Sequence, residues 1–121
     1  MSTLNVSNIS DGTDTVETGY VVNGSAKAHV NFDGTSIAIR TGSLNIASVT
    51  DNSTGKYTPN FTSSFNDAPS ATGGMTIANY PGVMRVNPST GTCQVFTATS
   101  YSGAAYIDGT DTSIQCCGDL A

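Results

Sequence analysis

Alternation of apolar and polar side chains from Ala26 to Phe61 is the feature that most limits what this chain can fold into. A period of two places successive side chains on opposite faces of a strand. In Ala26-Lys27-Ala28-His29-Val30-Asn31-Phe32, the residues Ala26, Ala28, Val30 and Phe32 share one face, and Lys27, His29 and Asn31 share the other. Ile37 and Ile39 repeat the pattern after Asp33-Gly34-Thr35. Asp-Gly between alternating runs predicts a tight hairpin, with Gly34 supplying the positive φ of the turn. A second pair of runs, Leu44–Thr50 and Lys56–Phe61, flanks Asp51-Asn52-Ser53-Thr54-Gly55. Pro59 has no N–H to give to a ladder, so its strand is expected at an edge or interrupted there.

The remainder follows the same logic. Met75–Tyr80, Val83–Val86, Cys93–Thr99 and Ser113–Cys117 read as short strands. Pro81-Gly82 and Asn87–Gly91 punctuate them. Thr62–Ala71 reads as a loop anchored by Phe65. Short strands at this spacing predict an all-β fold, an antiparallel β-sandwich or jelly-roll over residues 24–121. Residues 1–23 have weak periodicity and read as an extended N-terminal arm, with Thr15–Val22 as one extended segment. No stretch has a convincing helical period, so little or no helix is expected.

Composition excludes several classes. Charged residues make up 11% of the chain against ~25% in an average globular protein. Ser, Thr, Asn and Gly take their place, which disfavours helices because short polar side chains compete for the backbone. A net charge of −5 removes the basic face that nucleic-acid binding needs. No apolar run is long enough for insertion into a membrane. Met1–Ile9 has neither the basic start nor the apolar stretch of a signal peptide, so synthesis in a cytoplasm without Sec-type export is expected.

Two blocks within the alternating region resemble bacteriophage tail-fibre and related virion proteins. Gly24-Ser25-Ala26-Lys27-Ala28-His29-Val30-Asn31-Phe32-Asp33-Gly34-Thr35 is similar to a block Gly-small-Ala-Lys-Ala-Trp-x-x-aromatic-Asp/Asn-Gly-Thr. Ser48-Val49-Thr50-Asp51-Asn52-Ser53-Thr54-Gly55-Lys56-Tyr57-Thr58-Pro59-Asn60-Phe61 is similar to its usual companion, Ser-Ile-Thr-Asp-x-Gly-Thr-Gly-x-Tyr-Thr-Val-Asn-Phe. His29, Ser53 and Pro59 stand where Trp, Gly and Val are usual. The resemblance implies a β-rich virion structural protein. A short tail fibre or fibre tip for host attachment comes first, and a capsid decoration or head-fibre protein with the same β module is the alternative. The absence of a long repetitive shaft weighs against a whole fibre. The resemblance carries over no catalytic residue, and it suggests a homotrimer made in the host bacterial cytoplasm and placed on the tail or capsid surface.

Residue chemistry agrees with a protein that is not an enzyme. His29 is the single histidine, and no nucleophile elbow is present. Glu17 is the single glutamate, and the aspartates sit in turn contexts, which leaves no carboxylate pair for glycan hydrolysis. The turns Asp11–Asp14 and Asp108–Asp111 lack the further ligands of a calcium loop, and no metal or other cofactor is expected. Cys93, Cys116 and Cys117 are an odd set, read first as buried thiols, with one disulfide as the alternative. In a strand Cys116 and Cys117 point to opposite faces, so one of them faces Cys93.

Recognition is therefore expected in loops. Candidate receptor contacts are Ser64 and Asn66, Ser89 and Thr90, and Tyr101 and Ser102, which suit a host surface glycan or protein. Tyr57, Tyr80 and Tyr106 join Tyr101 as stacking candidates, with core packing the commoner use of each. Leu4, Val6 and Ile9 are the candidate docking residues of the arm, towards other phage virion proteins or sister subunits. A core of Ala26, Ala28, Val30, Ile37, Ile39, Leu44, Ile46 and Phe61, with no Trp, is small for a sandwich, which argues for burial between subunits.

Overall fold

A computed structural model describes residues 1–69, 71–77, 83–99 and 105–121. Its strands are β1 (Asn8–Ser10), β2 (Thr15–Glu17), β3 (Ala26–Asp33), β4 (Ala38–Ile39), β5 (Ile46–Ser53), β6 (Lys56–Phe61), β7 (Ala71–Ile77), β8 (Val83–Pro88), β9 (Cys93–Ala98) and β10 (Asp111–Cys117). Among the described residues one helix is present, α1 (Thr18–Gly24), between β2 and β3. The sheets are antiparallel: a β1-β2 hairpin, a four-stranded sheet β4-β3-β10-β7 and a four-stranded sheet β5-β6-β9-β8. The two larger sheets form an all-β sandwich.

The period of two builds its core. Ala28, Val30 and Phe32 on β3 and Thr112, Ile114 and Cys116 on β10 point inward from one sheet. Tyr57, Pro59 and Phe61 on β6 and Cys93, Val95 and Thr97 on β9 point inward from the other. Phe32 meets Tyr57 edge-on across the sheets, with ring centroids 5.1 Å apart. Phe65 closes one end, buried against Phe61 at 5.0 Å. Cys116, not Cys117, is the cysteine that faces Cys93 in the core, and both of those thiols are fully buried. Their shared hydrogen bond, with burial, pushes the Cys93 thiol well up.

Several expectations are corrected. Thr15–Val22 is not one extended segment, because the chain leaves β2 at Glu17 and turns into α1. The turn after β3 spans four residues, and the positive φ (56°) falls on Ile37 rather than Gly34. Gly34 is required for a different reason: a Cβ there meets the Tyr57 hydroxyl at 2.4 Å and the Gly109 carbonyl at 2.8 Å. Asp51–Ser53 extend β5, leaving Thr54-Gly55 as the loop. Ile39 and Leu44 are exposed, not core. Leu44 bridges His29, whose side chain lies on the outer face, so Leu44 faces outward too. β7 begins at Ala71, four residues before the predicted strand, while Ala78–Tyr80 lie outside the described residues.

Pro59 falls inside a sheet, with β6 between β5 and β9, but the ladder to β9 is broken where expected. Pairing runs only through Lys56 and Tyr57 and returns as a single bridge at Asn60–Thr92. Gly55 and Phe61, which share Pro59's parity, bond towards Thr97 and Gly91 on that side. The donor that Pro59 lacks thus faces the gap.

At the end of the sandwich away from Phe65, three turns converge on the Tyr57 hydroxyl. It donates to Asp108 Oδ1 at 2.7 Å, and the same oxygen accepts from the Gly55 N–H at 2.7 Å. Burial and the Asp108 carboxylate both push the Tyr57 phenol well above its ordinary value of 10.0. A raised folded-state value means that this contribution is complete below the unfolded value and is lost as pH climbs past it. Urea midpoints should therefore start to fall above about pH 10, at up to about 1.4 kcal/mol per pH unit for this group. Tyr57→Phe should be less stable than wild type at neutral pH and should lose stability less steeply above about pH 10. An equally steep alkaline fall in this variant would assign the effect to other groups.

Candidate functional site

The predicted receptor loops are only partly brought together. Ser64, Asn66, Ser89 and Thr90 are exposed and adjacent at one end of the sandwich. The Phe65 N–H donates to the Thr90 carbonyl at 2.8 Å, and the Phe61 N–H to the Gly91 carbonyl at 3.0 Å. Two of the four side chains serve the fold. Asn66 Nδ2 donates to Asp119 Oδ2 at 3.0 Å and to the Leu120 carbonyl at 3.2 Å. Ser89 Oγ meets Thr92 Oγ1 at 2.9 Å. Asn45, at φ 55°, clasps the base of the loop, since its amide exchanges hydrogen bonds with the Ser63 carbonyl (2.9 Å) and N–H (2.7 Å). Tyr101 and Ser102 lie outside the described residues. Their described flanks, Thr99 and Ala105, bond to each other near Thr97, at the opposite end. Of the tyrosines, Tyr57 is core, Tyr106 is exposed beneath the Lys56 ammonium (4.4 Å to the ring centre), and Tyr80 is outside the described residues.

The arm leaves from the same end as the Ser64 and Ser89 loops. Ala26, just after α1, pairs with Cys117, and a Cβ on Gly118 would sit 3.1 Å from Phe65. Leu4, Val6 and Ile9 are exposed, as are Val16, Tyr20, Val21 and Val22. No residue before Ala28 is fully buried. The helix has seven residues, glycine near both ends, two β-branched valines and no side-chain cap. Helices this short are marginal in water without packing. What holds it is local: Thr18 bonds to the carbonyls of Val6 and Ser7, and Lys27 Nζ reaches back to the Val22 carbonyl.

A third surface was not expected from the sequence. An open groove of about 810 Å3 runs across the outer face of the β4-β3-β10-β7 sheet. Register sets its floor in two cross-strand rows, His29–Gln115–Gly73 and Asn31–Ser113–Met75. Thr41–Ser43 form one wall, held by His29 Nε2 against the Gly42 carbonyl at 2.6 Å. Asn31 Nδ2 donates to Ser113 Oγ at 3.0 Å, while Asn31 Oδ1 is shielded from water without a partner among the described residues. Arg40 and Asp111, close to these rows, neutralise each other at 2.7 Å. The signal that marks the groove is Gly73-Gly74 inside a strand, a pair that the sequence reading placed in neither the Thr62–Ala71 loop nor the Met75–Tyr80 strand.

The acidic turns are engaged in hydrogen bonds within the chain. Asp11 Oδ1 accepts from the N–H groups of Thr13 and Asp14, which hold its carboxyl below the usual range. Asp108 is taken up by Tyr57 and Gly55. Among the described residues no three His, Cys, Asp or Glu side chains come together as metal ligands, and no helix is long and apolar enough to cross a membrane. No family model matches the chain, and no curated protein or solved structure does either.

Proposed function

We propose that this chain is a non-enzymatic bacteriophage virion structural protein, a short tail fibre or fibre tip that attaches to the host surface. The observation that carries the reading is the contrast between the two parts of the chain. A well-packed sandwich bears the two fibre-like blocks on β3 and β5–β6, while the preceding arm exposes eight large apolar side chains and buries none. Single exposed apolar residues are ordinary, but this many on one segment without a buried side chain fit a surface covered in an assembly. Sister subunits in a homotrimer and a neighbouring virion protein are the partners proposed for it. A capsid decoration or head-fibre protein is the second reading, because an arm of this kind suits either location.

Removing residues 1–23 should shift the unfolding free energy of the sandwich by about 0.5 kcal/mol or less, since no core contact is lost. The same deletion should abolish incorporation into particles and convert the wild-type oligomer to monomer, read by light scattering against the 12.3 kDa chain. A truncated protein that still enters particles at the wild-type level would sink the docking role. Cryo-EM or immunogold labelling of the particle places the protein on tail or capsid.

A further inference from the structure

We infer that the groove on the outer face of the β4-β3-β10-β7 sheet is a binding site for a neutral oligosaccharide. The starting point is a pair of adjacent glycines with opposite surroundings. A Cβ on Gly74 would collide with Met84 Sδ at 2.4 Å and the Ser113 carbonyl at 2.5 Å, so packing between the sheets demands glycine there. A Cβ on Gly73 meets nothing within 4 Å, and its φ lies outside the left-handed region. Neither packing nor backbone conformation explains it. Glycine inside a strand costs stability and marks places where a ligand or another backbone comes close. Gly73 leaves the floor of the groove open at its centre, opposite Gln115.

The lining selects the ligand. His29, Asn31, Ser113 and Gln115 offer an imidazole, two amides and a hydroxyl, with no carboxylate, ammonium or guanidinium among them. Met75, 63% exposed, supplies an apolar wall for the C–H face of a pyranose. The Arg40–Asp111 ion pair leaves no net charge to attract an anion. The groove shares Ala71 and Cys117 with a second depression of about 550 Å3 that ends at Tyr20, 72% exposed and available for stacking. Its continuity suits a chain of several sugar units over a single one. The inference rests on the attachment reading only for where such a glycan is met.

The test uses the full-length protein and pure neutral hexose and N-acetylhexosamine tetrasaccharides, followed by titration calorimetry and chemical-shift mapping. At least one should bind with Kd below about 10 mM and perturb the Gly73 and Gln115 amides. Gly73→Val should weaken binding about tenfold or more with the unfolding midpoint unchanged or raised, and Tyr20→Ala should weaken tetrasaccharides more than disaccharides. Ser64→Ala and Thr90→Ala should bind as wild type. The inference is overturned if no tetrasaccharide binds, if Gly73→Val binds normally, if the loop variants lose binding instead, or if Gly73→Val changes only the oligomeric state, which would make the face a subunit contact. Sugar binding is read without particles and incorporation without sugars, so failure of this inference and failure of the virion reading are separate results.

Discussion

Gly55→Ala is expected to destabilise the protein by about 3 kcal/mol or more, the sum of two independent penalties. Gly55 sits at φ +65° in the Thr54-Gly55 loop, where an L side chain costs about 1–2 kcal/mol. A Cβ would also lie 2.5 Å from the Thr97 carbonyl and 2.8 Å from both the N and O of Ile107. Those atoms are backbone, and the Ile107 N–H and the Thr97 carbonyl bond to each other at 3.1 Å, so relief requires moving two segments at once. Overpacking of this kind costs about 1–3 kcal/mol. Gly91→Ala is the control: its Cβ meets only Ser64 Oγ, at 3.8 Å, and should change stability by about 0.5 kcal/mol or less. Urea unfolding of both variants decides it. A cost below about 1 kcal/mol for Gly55→Ala would show that the three turns around Tyr57 yield easily.

Phe32→Ala should cost about 3–5 kcal/mol, a large share of the 5–15 kcal/mol that folded domains typically have. Phe32 is completely buried on β3, the strand that carries most of the first fibre-like block. Its ring fills the space between the sheets and meets Tyr57 at 75°. Truncation removes that edge-to-face contact and leaves a cavity that β3 cannot close, because β4 and β10 hold it on both sides. Phe96→Ala provides the comparison. That ring lies on the outer face of β9 beside Arg85 and Tyr106, and its loss should cost clearly less. Equal losses in the two variants would mean that the inter-sheet contact adds little beyond ordinary burial.

Period-two alternation was enough to identify β3, β6, β9 and β10, and on β3 the buried face as well, because each has one wet and one dry side. It failed where that contrast disappears. β7 carries Gly73 and Gly74 in place of alternating side chains, so Thr72–Gly74 went unassigned and Ala71 was placed in the preceding loop. The arm has apolar residues but nothing of its own to pack on, so pattern alone did not separate strand from helix over Thr15–Val22. Ile39 and Leu44 were misplaced because β4 is two residues long and Leu44 pairs only through a single bridge with His29, too little register for periodicity to report. The loop residues Ser64, Asn66, Ser89 and Thr90 were legible as exposed polar positions. The groove was not, since it arises from cross-strand neighbours as far apart in the chain as Asn31 and Ser113.

The position of β10 between β3 and β7 has a consequence for how the molecule comes into being. β3 is finished at Asp33, yet its long-edge partner starts at Asp111, and among the described residues β7 has no other strand neighbour within its sheet. Until Asp111–Cys117 have emerged from the ribosome, the sheet exists only as a β3-β4 stub and a lone strand. Its inward residues Val30 and Phe32 meanwhile lack the cover that Ile114 and Cys116 later supply. Pairings this distant in sequence are slow to form, because the loop must close before any contact rewards it. The β5-β6 and β8-β9 hairpins, by contrast, are local and can be in place early. Assembly of this sandwich thus waits for β10, and until then the nascent chain carries unpaired edges that favour contact with other copies during synthesis.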